Sequence, residues 1–161
     1  MKKIKFLILT ILLFIIDQII KNIIVSNNNI LPKEVIKNIL YISYCENRGI
    51  AFGMGQGSVE LILFITLIII SFIVIYIFIY YYKFNKIMLI GMAFTIAGGL
   101  GNLYDRAFRS YVIDYIDFSE IVDFPIFNFA DICIVVGVII IGISYLKNEG
   151  GEVNERINSW K

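Results

Sequence analysis

Four apolar stretches, at about residues 4–25, 59–82, 86–103 and 129–146, leave this chain little choice of fold. Each approaches the roughly 20 residues needed to cross a hydrocarbon core. In lipid every backbone N–H and C=O must be satisfied within the segment itself, so runs of this length must be helices. The stretches account for most of the 59% hydrophobic content of the 161 residues, against about half in a soluble domain. A mean hydropathy of +0.83 agrees. One bundle spanning residues 1–161 is expected, without a second domain. The opening Met1-Lys2-Lys3-Ile4-Lys5 and the apolar run behind it imitate a secretory signal peptide. No small-residue cleavage site precedes Asp17-Gln18, however, and apolar character resumes to Val25, which reads as an uncleaved first span.

An even number of spans puts both termini on one side of the membrane. Lys2, Lys3, Lys5, Lys83, Lys86, Lys147, Arg156 and Lys161 share that side, against Lys21, Lys33, Lys37, Arg48, Arg106 and Arg109 on the other. By the positive-inside rule the bias of eight to six favours cytoplasmic termini. Outer loops at 26–58 and 104–128, a short inner turn near 83–85 and a polar, loosely ordered cytoplasmic tail at 147–161 follow. A net charge of +1 divided between two sides says little about partners, and no basic stripe points to nucleic acid. With no histidine and two unspaced cysteines, neither a metal nor another cofactor is expected. Cys45, in the first outer loop, and Cys133, in the fourth span, read as ordinary buried or interfacial thiols.

The outer side carries the local structure signals. Asn27-Asn28-Asn29 with Pro32 marks a turn region, and residues 39–44 form an apolar and aromatic run suited to a strand, ahead of Gly49, Gly53, Gly55 and Gly57. Asp117, Glu120 and Asp123 are spaced for an amphipathic surface helix with solvated acids. Gly91, Ala93, Ala97, Gly98, Gly99 and Gly101 in the third span, and more weakly Gly137 and Gly142 in the fourth, allow close helix approach. The expected fold is an all-α membrane protein of four transmembrane helices, with a small extracytoplasmic β-cradle and a short surface helix.

Within this frame Asp17, Asp105, Asp114 and Asp131 are expensive. An aspartate at a bilayer centre costs roughly 2.5 to 3.5 kcal/mol even on the lenient insertion scale. Helical rise puts Asp17 about 20 Å and Lys21 about 25 Å deep in a core of about 30 Å, and their i, i+4 spacing puts them on one face. Asn102 and Asp105 come some 23 to 27 Å after Ile87, and Asp131 opens the fourth span from the same boundary. Asp114 lies in the connecting loop. A purely structural account pairs Asp17 with Lys21 and Asp105 with Arg106, and makes Asp131 a helix cap. It explains Asp17 and Asp105 as well as a functional role does. It fits Asp114 less, because the apolar run Tyr111-Val112-Ile113-Asp114-Tyr115-Ile116 should bury that carboxylate and raise its pKa.

Without histidine there is no Ser-His or Cys-His arrangement, and Lys21 is the only lysine available near the membrane for a Ser-Lys dyad. Gly99-Leu100-Gly101-Asn102 looks like the Gly-x-Gly-Asp motif of presenilin-type proteases, but asparagine cannot titrate. A carboxylate pair sharing one proton and activating water remains.

Taken together these segments resemble the lipoprotein signal peptidases, or signal peptidase II, over nearly the whole chain. Asp17-Gln18 with Lys21 is similar to the first-helix motif, and Asn47-Arg48-Gly49-Ile50-Ala51-Phe52 to the outer-loop Asn-x-Gly-x-Ala-Phe. Gly98-Gly99-Leu100-Gly101-Asn102-Leu103-Tyr104-Asp105-Arg106 is similar to the third-helix signature. Val112-Ile113-Asp114-Tyr115 and Phe124-Pro125-Ile126-Phe127-Asn128-Phe129-Ala130-Asp131 resemble the two catalytic segments. Ile50 departs from the pattern, where alanine is frequent.

The resemblance implies an aspartic endopeptidase of the bacterial cytoplasmic membrane that faces outward. It implies Asp114 and Asp131 as the catalytic pair and Asp105 as a supporting residue. Asn47, Asn102, Arg106 and Asn128 would hold the substrate backbone or the dyad, with Gly49 in the outer-loop motif, while Asp17 and Lys21 would line the pocket. The implied substrates are prolipoproteins whose lipobox cysteine carries diacylglycerol, cut just before that cysteine. Membrane lipids would be the other partner, with no obligatory protein partner. An ion- or proton-coupled transporter and a structural four-span partner protein are the competing expectations. Transport sites belong near the midplane, whereas these acids lie toward one edge.

Overall fold

The computed structural model describes residues 3–49 and 59–159, with residues 148–159 as backbone only. Four helices form the bundle: α1 (Lys3–Ser26), α2 (Val59–Tyr80, continued by a 3-10 turn at Tyr81–Lys83), α3 (Lys86–Arg109) and α4 (Phe129–Ser159). All four contain a segment long and apolar enough to cross a membrane, and the chain is a multi-pass membrane protein. Helix α3 is the hub and packs against the other three. Its best window has the lowest mean hydropathy of the four, 1.6, and is the most buried, whereas α2 reaches 3.2 and is the least buried. The polar side chains of α3 are therefore hidden by protein, and the apolar ones of α2 face outward.

Close approach of α3 and α4 explains the small residues of the third span. A Cβ on Gly91 would lie 2.7 Å from the Gly137 carbonyl oxygen, and one on Gly137 equally close to the Thr95 nitrogen, so neither position admits a side chain. Gly142, by contrast, meets nothing within 4 Å and takes no part in this packing. Asn85 starts α3 by accepting the Met88 N–H at 2.8 Å, and the same oxygen accepts the Ser144 hydroxyl of α4 at 3.0 Å. The helix ends at Ser110, whose left-handed backbone (φ 65°) returns its N–H to the Arg106 carbonyl.

Hydropathy alone ended the third span at residue 103. The helix runs on to Arg109, so Tyr104, Asp105, Arg106 and Arg109 are helical and not part of a loop. The polarity that ended the apolar window is a buried polar face. At the other end of the bundle α4 continues past the expected boundary at 146 to Ser159. Once a helix is nucleated each added residue gains a backbone bond, and no proline interrupts this one.

A three-stranded antiparallel sheet, β1 (Lys33–Ile36), β2 (Leu40–Asn47) and β3 (Val112–Asp117), lies where α1 and α3 finish and α4 begins. The expected strand at 39–44 is thus present and longer. Asp114 is not in a loop, for it sits on β3, opposite Cys45 of β2, while Val112 faces Asn47. Ile113 and Tyr115 point the other way, into a core with Ile24 at the end of α1. The expected surface helix over Asp117, Glu120 and Asp123 does not form; that segment is a turn. Asp117 is already engaged, accepting the Ser43 hydroxyl at 2.8 Å and the Ser119 N–H at 2.9 Å, which closes the chain tightly after β3. A bridge between Ile116 and Phe127 then brings the chain back beside β3 just before α4 starts. Ile50, Ala51, Phe52, Gly53, Gly55 and Gly57 of the outer-loop expectation lie outside the described residues.

Candidate active site

The first turn of a helix has N–H groups without intrahelical partners, and at α4 these organise the site. Phe129 N–H donates to the Tyr115 hydroxyl at 3.1 Å, and Ala130 N–H to Asp17 Oδ1 at 3.1 Å. Asp131 N–H donates to Asn128 Oδ1 at 3.0 Å, while Asp131 Oδ2 accepts the Asn128 N–H at 3.1 Å. That reciprocal pair is a capping box. The structural account of Asp131 as a helix cap is therefore correct, but it uses only one carboxylate oxygen.

The other oxygen, Oδ1, accepts Asn102 Nδ2 at 2.7 Å. Asn128 has its own oxygen committed to the helix, so its amide nitrogen must point away from α4. It donates to Asp114 Oδ1 at 2.6 Å and to Asn102 Oδ1 at 3.2 Å. Asp114 Oδ2 accepts Asn47 Nδ2 at 2.8 Å, and Asn47 Oδ1 accepts the Gly49 N–H at 2.9 Å. Among the described residues each of the four carboxylate oxygens of Asp114 and Asp131 thus accepts one N–H, none of it from a charged group. Each oxygen keeps further acceptor capacity. Asp114 is buried, and that burial, reinforced by the charge of Asp131, pushes its carboxyl up to about 6 from an ordinary 3.8 against the opposing Asn47 and Asn128 bonds.

Beneath this layer lies a second one made of ions. Lys21 is fully buried and its ammonium reaches three acceptors: Asp17 Oδ2 at 3.0 Å, Asp105 Oδ2 at 2.8 Å and Asn102 Oδ1 at 3.0 Å. Three donors thus meet three acceptors. Asp105 also binds Arg109 and accepts the Ile113 N–H at 3.3 Å. Gln18 joins both acids, donating to Asp17 Oδ2 at 3.1 Å and Asp105 Oδ1 at 3.3 Å. Asp17 and Lys21, expected to line the pocket, are both buried in the protein interior. The expected pairing of Asp105 with Arg106 is replaced by pairings with Lys21 and Arg109. Arg106 turns instead toward β2, donating to the Gly49 carbonyl at 3.0 Å, and its Nε has no hydrogen-bond partner among the described residues.

All ten residues singled out from the sequence meet here: Asp114 and Asp131 at the top, Asn47, Gly49, Asn102, Arg106 and Asn128 around them, and Asp17, Lys21 and Asp105 beneath. Three further participants have no site role expected from the sequence, although Gln18 and Tyr115 stand within the quoted motifs. Gln18 is adjacent to Asp17, and Arg109 stands one turn after Asp105, a spacing that signals an ion pair. Tyr115 gave no such signal, because its role depends on where β3 meets α4. Cys45 lies beside Asp114 in the sheet register but forms none of these bonds. Among the described residues no group of three or more His, Cys, Asp or Glu side chains could hold a metal ion.

A family model described as signal peptidase (SPase) II matches residues 9–147, a span that contains every residue of this network. The chain belongs to the signal peptidase II family. Among similar proteins, the lipoprotein signal peptidase of Clostridium novyi is 41% identical over 119 residues, 73% of this chain and 79% of that protein. The lipoprotein signal peptidase of Fusobacterium nucleatum is 35% identical over 144 residues, covering 88% of this chain and 86% of its own. A solved structure of a bacterial membrane enzyme, determined in meso at 2.3 Å, superposes with a TM-score of 0.81 at 35% identity, covering 91% of this chain and 90% of its own. Signal peptidase II is therefore the sequence relationship, the fold is that of a solved bacterial membrane enzyme, and the resemblance carried by the five motifs is one of kinship.

Proposed function

We propose that this protein cleaves the signal peptide from diacylglyceryl-modified prolipoproteins, just before the lipidated cysteine, by an aspartic mechanism centred on Asp114 and Asp131. Membership of the signal peptidase II family supports the cleavage reaction, and kinship with peptidases disfavours the transporter alternative. The observation that carries the aspartic reading is the common bond to Asn128. One asparagine holds Asp114 through its side-chain amide and Asp131 through its backbone N–H, at 2.6 and 3.1 Å, while no cation among the described residues binds either acid directly. A carboxylate pair linked only by neutral donors retains affinity for one shared proton, and its two apparent pKa values belong to the pair.

In the reaction we envisage, a water lies between the two acids. The ionised member removes its proton as the water oxygen attacks the scissile carbonyl carbon, and the protonated member delivers its proton to the carbonyl oxygen. The neutral tetrahedral intermediate then collapses. Its hydroxyl proton returns to one carboxylate, the other protonates the departing cysteine nitrogen, and the C–N bond breaks. The signal peptide leaves with a new carboxyl end and the lipidated cysteine with a free amine. Burial that keeps the Asp114 proton near pH 6 suits this exchange at neutral pH. Arg106 Nε and the asparagine amides are donors suited to the substrate backbone and to the oxygen that develops charge.

Diacylglycerol on the substrate holds the scissile bond at a lipid boundary, which fits acids gathered where α4 begins. Membrane anchoring also raises the effective concentration of substrate. We place that boundary on the outer face of the cytoplasmic membrane, with both termini inside. Asp114→Asn and Asp131→Asn should each lower cleavage of a lipidated prolipoprotein in proteoliposomes by at least about 10²-fold, the lower end of general acid–base contributions. Both variants should keep the wild-type circular dichroism spectrum. Full activity in either one would refute the dyad.

A further inference from the structure

We propose that Arg109 is a positioning residue that sets the pH window of cleavage by balancing the charge of the buried layer beneath the dyad. The inference rests on the dyad reading above and extends it to a residue that touches neither the acids of the dyad nor the substrate. An unbroken hydrogen-bonded chain carries it. Arg109 donates to Asp105, Asp105 binds Lys21 at 2.8 Å, Lys21 donates to Asn102 at 3.0 Å, and Asn102 donates to Asp131 at 2.7 Å.

Arg109 is the outermost member and the only one of the buried ion layer that keeps solvent contact, with 19% of its side chain exposed. It is also tied beyond Asp105. Besides Asp105 it donates to Gln18 Oε1 at 3.1 Å and Asn22 Oδ1 at 2.8 Å, and it rests over the Tyr104 ring at 5.6 Å. These contacts fix a cation at the mouth of the cluster, where it closes the layer as two carboxylates, Asp17 and Asp105, against two cations, Lys21 and Arg109.

Removing the Arg109 charge leaves that layer with one uncompensated negative charge. Asp105 then has Lys21 as its one remaining counter-charge among the described residues, which draws the ammonium away from Asn102. Both changes act on Asp114 in the same direction, since the Lys21 charge favours its ionised form. The other charged groups around Asp114 stay as they are. Arg106 of α3 and Asp131 of α4 remain in place. Glu46 of β2 is paired with Arg48 at 2.9 Å, and Asp117 of β3 is held by Ser43 and Ser119. A more negative layer therefore makes Asp114 hold its proton to higher pH.

The test is the pH profile of kcat/KM for cleavage of a lipidated prolipoprotein in proteoliposomes. Arg109→Gln should move the alkaline limb upward by on the order of one pH unit, as one unit charge acting over roughly 10–15 Å through an effective dielectric constant of about 20 would do. Arg109→Lys, which keeps the charge, should leave the limb where it is. Asp105→Asn should move it the opposite way, and the pair Arg109→Gln with Asp105→Asn should bring it back. That cycle also decides the matter if Arg109→Gln alone does not fold. Limbs that superimpose across wild type, Arg109→Gln and Asp105→Asn, with only the rate scaled, overturn the proposal. An Arg109→Lys limb displaced as far as that of Arg109→Gln overturns it too. Retained activity in Asp114→Asn would instead overturn the dyad itself, so the two failures are separable.

Discussion

Four aspartates meet at one end of this bundle, and two of them sit in a different electrostatic environment from the other two because of what faces them. Asp17 and Asp105 face an ammonium, and Asp105 a guanidinium as well. Asp114 and Asp131 face asparagine amides and one backbone N–H. A full opposite charge ties a carboxylate into a buried ion pair, whose loss is costly, and makes it a structural element. A neutral donor orients the carboxylate and leaves its proton affinity adjustable. Asn102 joins the two layers, its oxygen on Lys21 and its nitrogen on Asp131, so the orientation of the ion layer is passed to the dyad.

The harshest way to break this contrast is to remove the shared cation. Lys21→Met preserves length and removes the charge, leaving Asp17 and Asp105 buried with Arg109 alone. Taking one partner from a buried ion pair costs about 3–5 kcal/mol. The variant should lose that much stability in denaturant unfolding of the detergent-solubilised protein, a large part of the 5–15 kcal/mol typical of a folded chain. The Ala130 N–H of α4 depends on Asp17, so cleavage should fall as well. A Lys21→Met protein as stable as wild type would mean that the ion layer is not structural.

A second, smaller effect comes from the dyad layer. Asp114 holds its proton up to about pH 6 when folded, against an ordinary 3.8. The folded state thus binds the proton more tightly than the unfolded one. This group's contribution to stability is fully present below pH 3.8 and is lost as pH rises through about 6. The loss amounts to about 3 kcal/mol at 1.36 kcal/mol per unit. Relative to Asp114→Asn, wild type should therefore lose stability between pH 4 and pH 7. Parallel stability curves for the two proteins over that range would contradict the burial assigned to Asp114.

Much of this contrast was legible in the sequence, and the reason is physical. Aspartates in apolar runs are costly wherever they fall, so Asp17 and Asp131 announced themselves, and the i, i+4 spacing of Asp17 and Lys21 predicted their salt bridge without any tertiary knowledge. What was hidden depends on contacts distant in sequence. Asp105 chose Lys21 and Arg109 over the adjacent Arg106, because neighbouring residues on a helix point some 100° apart, while Arg109 returns to the same face. The end of α3 was misplaced because hydropathy cannot distinguish a polar face turned to water from one turned to α1. Asp114 looked like a loop residue because its strand partner, Cys45, is far away in the chain. Charge spacing suggests a surface helix that does not form, since the Asp117 carboxylate is bound to Ser43 and to the turn at Ser119.

The smallest effect sharpens the comparison most. Asn47 and Gln18 are both amides that donate to a carboxylate, Asn47 to Asp114 in the dyad layer and Gln18 to Asp17 and Asp105 in the ion layer. The Asn47 bond favours the ionised form of Asp114. Asn47→Ala should therefore raise the pH at which Asp114 gives up its proton and move the alkaline limb of cleavage upward. One hydrogen bond to a charged group is worth about 1.5–3 kcal/mol, so the shift should be on the order of one pH unit. Gln18→Leu removes a bond of similar kind from acids already held by Lys21 and Arg109, so it should lower stability by about 1 kcal/mol and leave the limb in place. If both substitutions moved the limb equally, proton affinity at this site would be a property of the whole polar cluster, and the division between its two layers would not hold.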